Sequence, residues 1–299
     1  LINTNFNHVN AFSPDLNLFR PMKKPGEEPK LGRAAKGMSR EYAEGLREHK
    51  QAIFEHFQRL IPSLEQAFPN YTIVVRPHPT EKQDTYHKIA AECKRVQVTN
   101  AGNVVPWLMA TRALIHNGCT TGVEAHVMGV PAISYRATVN EYYDYGFYYL
   151  PNRLSHQCFD VEELQITLGK ILAGELGAAD GEERKALIDL HLAGQAGPLA
   201  CERMLDVLEG MMEGKIALSP PSVRNRLEGW SMSAIRTLIK RSKERLPGSH
   251  NRPEFQRHRY PEVSLVEMRR QTFRLQQILG NRKEPKVEQI SDQFFRISG

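Results

Sequence analysis

Two short segments hold the residue types that could do chemistry on an anion. The first is Arg76-Pro77-His78-Pro79, a histidine between two prolines directly after the β-branched run Tyr71 to Val75. Proline fixes its own φ and restricts the residue before it, so this imidazole sits on a stiff loop. A guanidinium and an imidazolium there could bind a phosphate, and His78 could give a proton to a leaving phosphate oxygen. The second is His116-Asn117-Gly118-Cys119-Thr120-Thr121-Gly122, a small turn with hydroxyl groups. It lies between the apolar run Ala113 to Ile115 and a helical stretch carrying Val123, Val127 and Met128. The first turn of a helix has unpaired N–H groups and the positive end of its dipole, so the segment reads as an anion cradle. An ordinary turn with Thr120 as N-cap accounts for the same pattern.

Other candidates surround these two. Glu124, one turn into the helix, could accept from ribose hydroxyls or simply favour the helix dipole. Asn100 and Asn103 flank a predicted strand end, where they could read a base edge or serve as turn and cap residues. His116 closes a strand beside the cradle, whereas His126 falls in mid-helix, where packing or surface roles suffice. Cys119, at a helix entrance, is either a thiol of lowered pKa or a small filler of the turn. Asn3, Asn5 and Asn7 alternate along the first strand, as a sugar-lining row or a polar edge. Tyr142, Tyr143, Tyr145, Phe147, Tyr148 and Tyr149 form an aromatic loop that could cover a crevice or pack beside it. No Gly-x-Gly-x-x-Gly, Walker loop, His-x-x-x-His or serine elbow occurs, so a site without metal or cofactor is the simplest expectation.

The elements that must position these residues alternate. Leu1 to Phe6 predicts a strand, and Pro21 to Pro29 a loop. Ser39 is placed to cap a long helix with Tyr42, Leu46, Ile53, Phe57, Leu60, Ile61 and Leu64 at three- and four-residue spacing. Strand Tyr71 to Val75, helix Tyr86 to Lys94, strand Val96 to Val98 and a helix through Val104 to Met109 follow. After the cradle helix, closed by Gly129, come strand Val130 to Tyr135, a loop at 136–160 and helix Val161 to Leu172. This order predicts an α/β fold, a Rossmann-like parallel sheet covered by helices on both faces. From about 180 the chain reads as helices at 182–193, 199–213, 231–245 and 263–280, with a last strand from Val287 to Ile297. We divide it into an N-terminal strand and linker (1–38), a Rossmann-like domain (39–175) and a helical, basic C-terminal region (176–299).

At 299 residues, 40% hydrophobic and 25% charged, the chain has the composition of a globular protein. No apolar run approaches the roughly 18 residues of a membrane span, and there is no signal peptide. Four scattered cysteines indicate neither a zinc site nor a disulfide framework and fit a reducing cytoplasm. The net charge of +6 is uneven: residues 222–299 hold 17 of the 40 Lys and Arg but 8 of the 34 Asp and Glu. A basic surface of that kind meets something anionic. Nucleic acid is not the expected partner, because aromatic interleaving is thin and no binding motif appears. Trp230, Ala234, Leu238 and Ile239 fall beside Arg236, Lys240, Arg241, Lys243 and Arg245, giving a helix with an apolar and a cationic face. It could lie on an anionic membrane or pack on the sheet domain.

Taken together, Arg76-Pro77-His78-Pro79, Asn100-Ala101-Gly102-Asn103 with Trp107-Leu108, and His116 through Ala125 resemble a bacterial surface-carbohydrate biosynthesis family. Ile2-Asn3-Thr4-Asn5-Phe6 and Leu150-Pro151-Asn152 are similar to it as well, so the likeness covers about residues 1–165. The family consists of GT-B glycosyltransferases with a His-Pro motif, related to the β-Kdo transferases of capsule and lipopolysaccharide synthesis. The resemblance implies that this chain is the half that binds a nucleotide sugar, with His78, Thr120 and Thr121 on the donor phosphates and Cys119 in the turn. It also implies a CMP-activated donor such as CMP-Kdo, with a UDP sugar or CDP-glycerol as the alternatives, and a glycan or lipid-linked acceptor; with the scattered cysteines and the basic helix, the expected location is the cytoplasm, at the inner face of the membrane. In such enzymes an acceptor-binding domain comes first, and the Met-less start at Leu1 leads us to expect that such a portion precedes it. A nucleotide-sugar epimerase, a CDP-glycerol glycerophosphotransferase and a non-enzymatic module binding anionic polymers are the competing readings.

Overall fold

Six short strands make one wholly parallel sheet: β1 (Ile2–Thr4), β2 (Ile73–Pro77), β3 (Val96–Val98), β4 (Leu114–His116), β5 (Ala132–Tyr135) and β6 (His156–Cys158). Their spatial order is β3-β2-β1-β4-β5-β6. The structure, a computed structural model, describes residues 1–22, 26–144, 148–213, 222–246, 249, 251–260, 262–280, 284–291 and 294–298. Parallel strands need crossovers, supplied here by α1 (Arg40–Ala67), α2 (Asp84–Ala91), α3 (Val105–Ala110), α4 (Thr121–Val127), α5 (Glu141–Asp144) and α6 (Tyr149–Arg153). A last helix, α7 (Val161–Ala173), returns along the sheet.

Side chains alternate across each strand, and the two faces bury different helices. Ile2, Phe6, Val75, Ile115, Ile133 and Tyr135 share one core with Ile53, Phe57, Leu60, Ile61 and Leu64 of α1 and Leu164, Leu168 and Ile171 of α7. Ser39 caps α1 as its spacing predicts, accepting the Tyr42 N–H. On the opposite face Leu114 and Ala132 pack with Leu108 of α3 and Ala125 of α4. That second face carries a polar row near the strands' carboxyl ends. Strand register aligns Arg76, Asn3, His116, Ser134 and Gln157 across β2, β1, β4, β5 and β6. The first four of these are buried. Asn3 lies buried in the central strand, while Asn5 and Asn7 fall beyond its end and are half-buried, so the three form no polar row along a strand edge.

Several elements differ from their sequence expectation. The 136–160 segment, expected as a loop, contains α5, α6 and β6. His-Gln-Cys in β6 has no apolar run to announce it, and pairing with β5 makes it a strand. Beyond α7 lie α8 (Glu182–His191), α9 (Ala200–Glu213), α10 (Val223–Glu244), α11 (Pro253–Arg259) and α12 (Leu265–Ile278). The tenth helix begins at a Ser222 cap rather than at 231. The final strand is instead an antiparallel pair, β7 (Lys286–Ser291) and β8 (Phe294–Ser298). Among the described residues no helix is long and apolar enough to cross a membrane.

Candidate functional site

The carboxyl ends of β2, β1 and β4 lie side by side at the centre of the sheet. With neighbouring strands about 4.8 Å apart, the ends of β2 and β4 stand about 10 Å from one another. The crossover direction reverses between β1 and β4, which is the switch point where open α/β sheets place ligands.

His78 follows β2 and is fastened on several sides. Its backbone N–H reaches the Thr4 carbonyl (3.1 Å) and Glu81 Oε1 (3.1 Å). The Thr80 N–H donates to the ring's Nδ1 at 3.2 Å, and Thr80 Oγ1 is 2.7 Å from the same atom. An accepting Nδ1 leaves the neutral ring's proton on Nε2. The organiser of this loop is Glu81, a residue that no sequence motif marks. Its buried carboxylate accepts from Thr4 Oγ1 (2.9 Å) and from Tyr86 Oη (2.7 Å), and burial raises its pKa. Arg76 has a different place from the one expected. Its guanidinium donates to the carbonyls of Ala101 (2.9 Å) and Gly102 (3.1 Å) and lies 5.0 Å over the Trp107 ring. It therefore clamps the 99–103 loop. Within that loop Asn103 acts as a cap, accepting the Val105 N–H at 2.8 Å, while Asn100 is half-buried.

The β4–α4 turn is built around His116. This ring is wholly buried and burial lowers its pKa to about 3, so it is neutral. Nδ1 accepts the Gly118 N–H at 3.0 Å, which leaves Nε2–H to donate to Ser155 Oγ at 2.8 Å. Ser155 passes its own proton to the Pro151 carbonyl at 2.9 Å. His116 thus shapes the turn from beneath. At Gly122, a Cβ would come within 2.6 Å of His116 Nε2, so only glycine lets α4 sit this close. Asn117 ties the turn to β1: its Oδ1 accepts the Asn5 N–H (2.9 Å) and its Nδ2 donates to the Asn5 carbonyl (3.2 Å).

Cys119 and Thr121 are buried and Thr120 is exposed. Thr120 has helical dihedrals and its hydroxyl makes no capping bond, so the plain N-cap account does not hold. Among the described residues, three buried oxygens at these strand ends have no hydrogen-bond partner within the chain: Asn3 Oδ1, Asn5 Oδ1 and Thr121 Oγ1. Unpaired buried polar atoms are costly, and a water, an ion or a ligand group satisfies them. Glu124 is half-buried, and burial raises its carboxyl pKa. His126 contacts the Leu154 carbonyl at 3.2 Å, a packing role.

Beside the turn the fold assembles charges that no local motif announced. Asp144 of α5 receives His49 Nε2 at 2.8 Å, Arg136 Nη2 at 3.2 Å and the Asn140 N–H at 3.2 Å. Lys50 Nζ stands 3.9 Å from the same carboxylate and 3.7 Å over the Tyr148 ring. One signal was legible: Lys50 lies on the apolar stripe of α1, four residues after Leu46 and three before Ile53. Tyr148 also packs on the cradle, since a Cβ at Gly118 would meet its Cδ1 at 2.6 Å. Of the aromatic run, Tyr148 therefore packs against the turn. Tyr42, Tyr142 and Tyr143 pack on one another with ring centroids 5.2–5.3 Å apart, while Tyr145 and Phe147 lie outside the described residues.

The fold therefore brings His78, Asn3, Asn5 and the 116–121 turn to neighbouring strand ends, with the Arg76-held loop on one flank and Lys50 on the other. Among the described residues no group of three or more His, Cys, Asp or Glu is placed to hold a metal ion. No protein-family model matches the chain, and neither a curated protein nor a solved structure similar to it was found.

Proposed function

We propose that this chain is the donor-binding half of a GT-B-type glycosyltransferase that builds a bacterial surface polysaccharide from a nucleotide sugar, a CMP-activated sugar by preference. The observation that carries the reading is the set of unpaired buried oxygens, Asn3 Oδ1, Asn5 Oδ1 and Thr121 Oγ1, at the strand switch point. In this reading His78 donates to a donor phosphate and Thr120 and Thr121 border it at the start of α4. The 99–103 loop, clamped by Arg76, faces the base, and Glu124 lies toward the ribose. The chain's own cations neutralise the leaving nucleotide, so the proposed reaction calls for no metal ion. The acceptor would be a glycan or a lipid-linked saccharide at the inner face of the cytoplasmic membrane, which the exposed basic helix α10 would touch.

Calorimetric titration of CMP and UDP tests this. His78→Ala should weaken nucleotide binding by about 1.5–3 kcal/mol, the worth of one hydrogen bond to a charged group. Thr121→Glu should abolish it by setting a carboxylate where the phosphate belongs, in a folded protein. Unchanged affinity in both variants, or no binding of either nucleotide to the native chain, would remove the reading.

A further inference from the structure

The consecutive helices α9 and α10 each carry an apolar strip that the chain itself leaves bare. Their described residues are exposed throughout, so neither helix covers the other. A helix of 14 residues, the length of α9, is marginal in water unless an apolar face is packed. On α9 that face is Met204, Leu208 and Met211, at four- and three-residue steps, with Leu205 at its edge. On α10 a comparable strip, Met232, Ile235 and Ile239, lies on the far side of the helix from Trp230.

The charges beside the two strips are opposite. Glu202, Asp206 and Glu209 border the first, and Arg236, Lys240 and Lys243 border the second. Glu202 accepts the Leu199 N–H at 2.6 Å, while Asp206 and Glu209 have no partner among the described residues. On α10 Arg224 pairs with Glu228 at 2.9 Å, and Arg236, Lys240 and Lys243 pair with nothing among the described residues. At about 100° per residue, the acids lie on the same hand of the α9 strip as the cations do of the α10 strip. Edges of the same hand meet when two helices run antiparallel.

We propose that α9 of one copy of this chain packs antiparallel on α10 of a second copy. Met204, Leu208 and Met211 then face Ile239, Ile235 and Met232. The spacings agree, four then three along α9 and four then three back along α10. The same arrangement brings Glu202, Asp206 and Glu209 alongside Lys243, Lys240 and Arg236. A two-fold axis makes the contact twice, α9 on α10 in each direction, so the assembly closes as a dimer. Pairing α9 with α9 would set acid against acid, and α10 with α10 cation against cation, which disfavours both. The contact uses no residue of the proposed donor site and stands whether or not that reading does.

Sedimentation equilibrium of the whole chain tests this. The native chain should form a dimer that weakens as salt rises, because salt screens exposed charges. Reversing the acids (Glu202→Lys, Asp206→Lys and Glu209→Lys together) should weaken dimerisation at least tenfold. Reversing the cations (Arg236→Glu, Lys240→Glu and Lys243→Glu together) should do the same. An equimolar mixture of the two variants should recover the native affinity, since both contacts of the mixed dimer again join opposite charges. A native chain that stays monomeric, or a dimer indifferent to both reversals, overturns the proposal. So does a mixture as weak as its components, which would mean that the two helices do not meet between copies. Should either variant not fold, a native dimer indifferent to salt overturns the proposal by itself.

Discussion

Glu81 decides where His78 points. Tyr86, Thr4 and the backbone of His78 all donate to its carboxylate, and burial raises its pKa by disfavouring the charged form. Replacing one carboxylate oxygen with an amide turns an acceptor into a donor among donors. Glu81→Gln should therefore destabilise the protein by about 1–3 kcal/mol, the cost of leaving a buried polar group unpaired. Denaturant unfolding would show this as a lower midpoint at unchanged slope. A variant as stable as the native chain would mean that the carboxylate is held protonated or that the loop rearranges around it.

At the scale of the element, the β4–α4 turn depends on two glycines for different reasons. Gly122 yields space to His116, whereas Gly118 has φ +85° and yields space to Tyr148. A side chain in the left-handed region costs about 1–2 kcal/mol. Gly129 closes α4 at φ +69°, and a Cβ added there would meet nothing within 4 Å, so it carries the backbone cost alone. Gly118→Ala should accordingly destabilise more than Gly129→Ala, and the excess should vanish when Tyr148 is also truncated to Ala. A double-mutant cycle read by thermal unfolding measures that coupling. Equal losses for the two glycines would mean that Tyr148 does not hold the turn.

For the whole molecule, the outstanding feature is the uncovered helix α10. The tenth helix buries no residue, with Trp230 73% and Leu238 68% exposed. Packing of this helix on the sheet domain, one of the two accounts its sequence allowed, is thus not what the structure has. Trp230, Ala234 and Leu238 keep to one arc, at whose C-terminal end Arg241 and Arg245 also fall, and Arg236, Lys240 and Lys243 to another, so exposed cations surround an exposed apolar strip, which suits an anionic bilayer surface. Each basic residue near such a surface contributes about 1 kcal/mol, and the contribution falls with salt. The chain should co-sediment with anionic vesicles at low salt and hardly with neutral ones, and Arg236→Glu with Lys240→Glu should reverse that preference. Equal partitioning to both vesicle types, or none to either, would rule the membrane contact out.

Local periodicity and turn chemistry sufficed to read α1, the strands β1 to β5, and the parallel sheet they imply. Those signals are carried by neighbouring residues, as in the Ile73–Val75 run or the Ser39 cap. The two polar segments at the strand ends were legible for the same reason, because prolines at 77 and 79 and glycines at 118 and 122 constrain the backbone wherever they stand. What each polar side chain does there was settled only by tertiary contacts. Arg76 turns to the Ala101 and Gly102 carbonyls, and His116 to Ser155, partners that no spacing indicates. The strand β6 exists because β5 offers it a ladder. Lys50 meets Asp144 only once α1 and α5 close over the strand ends. A buried charge takes its meaning from whatever the fold brings within a few ångströms, and residues distant in the chain decide that.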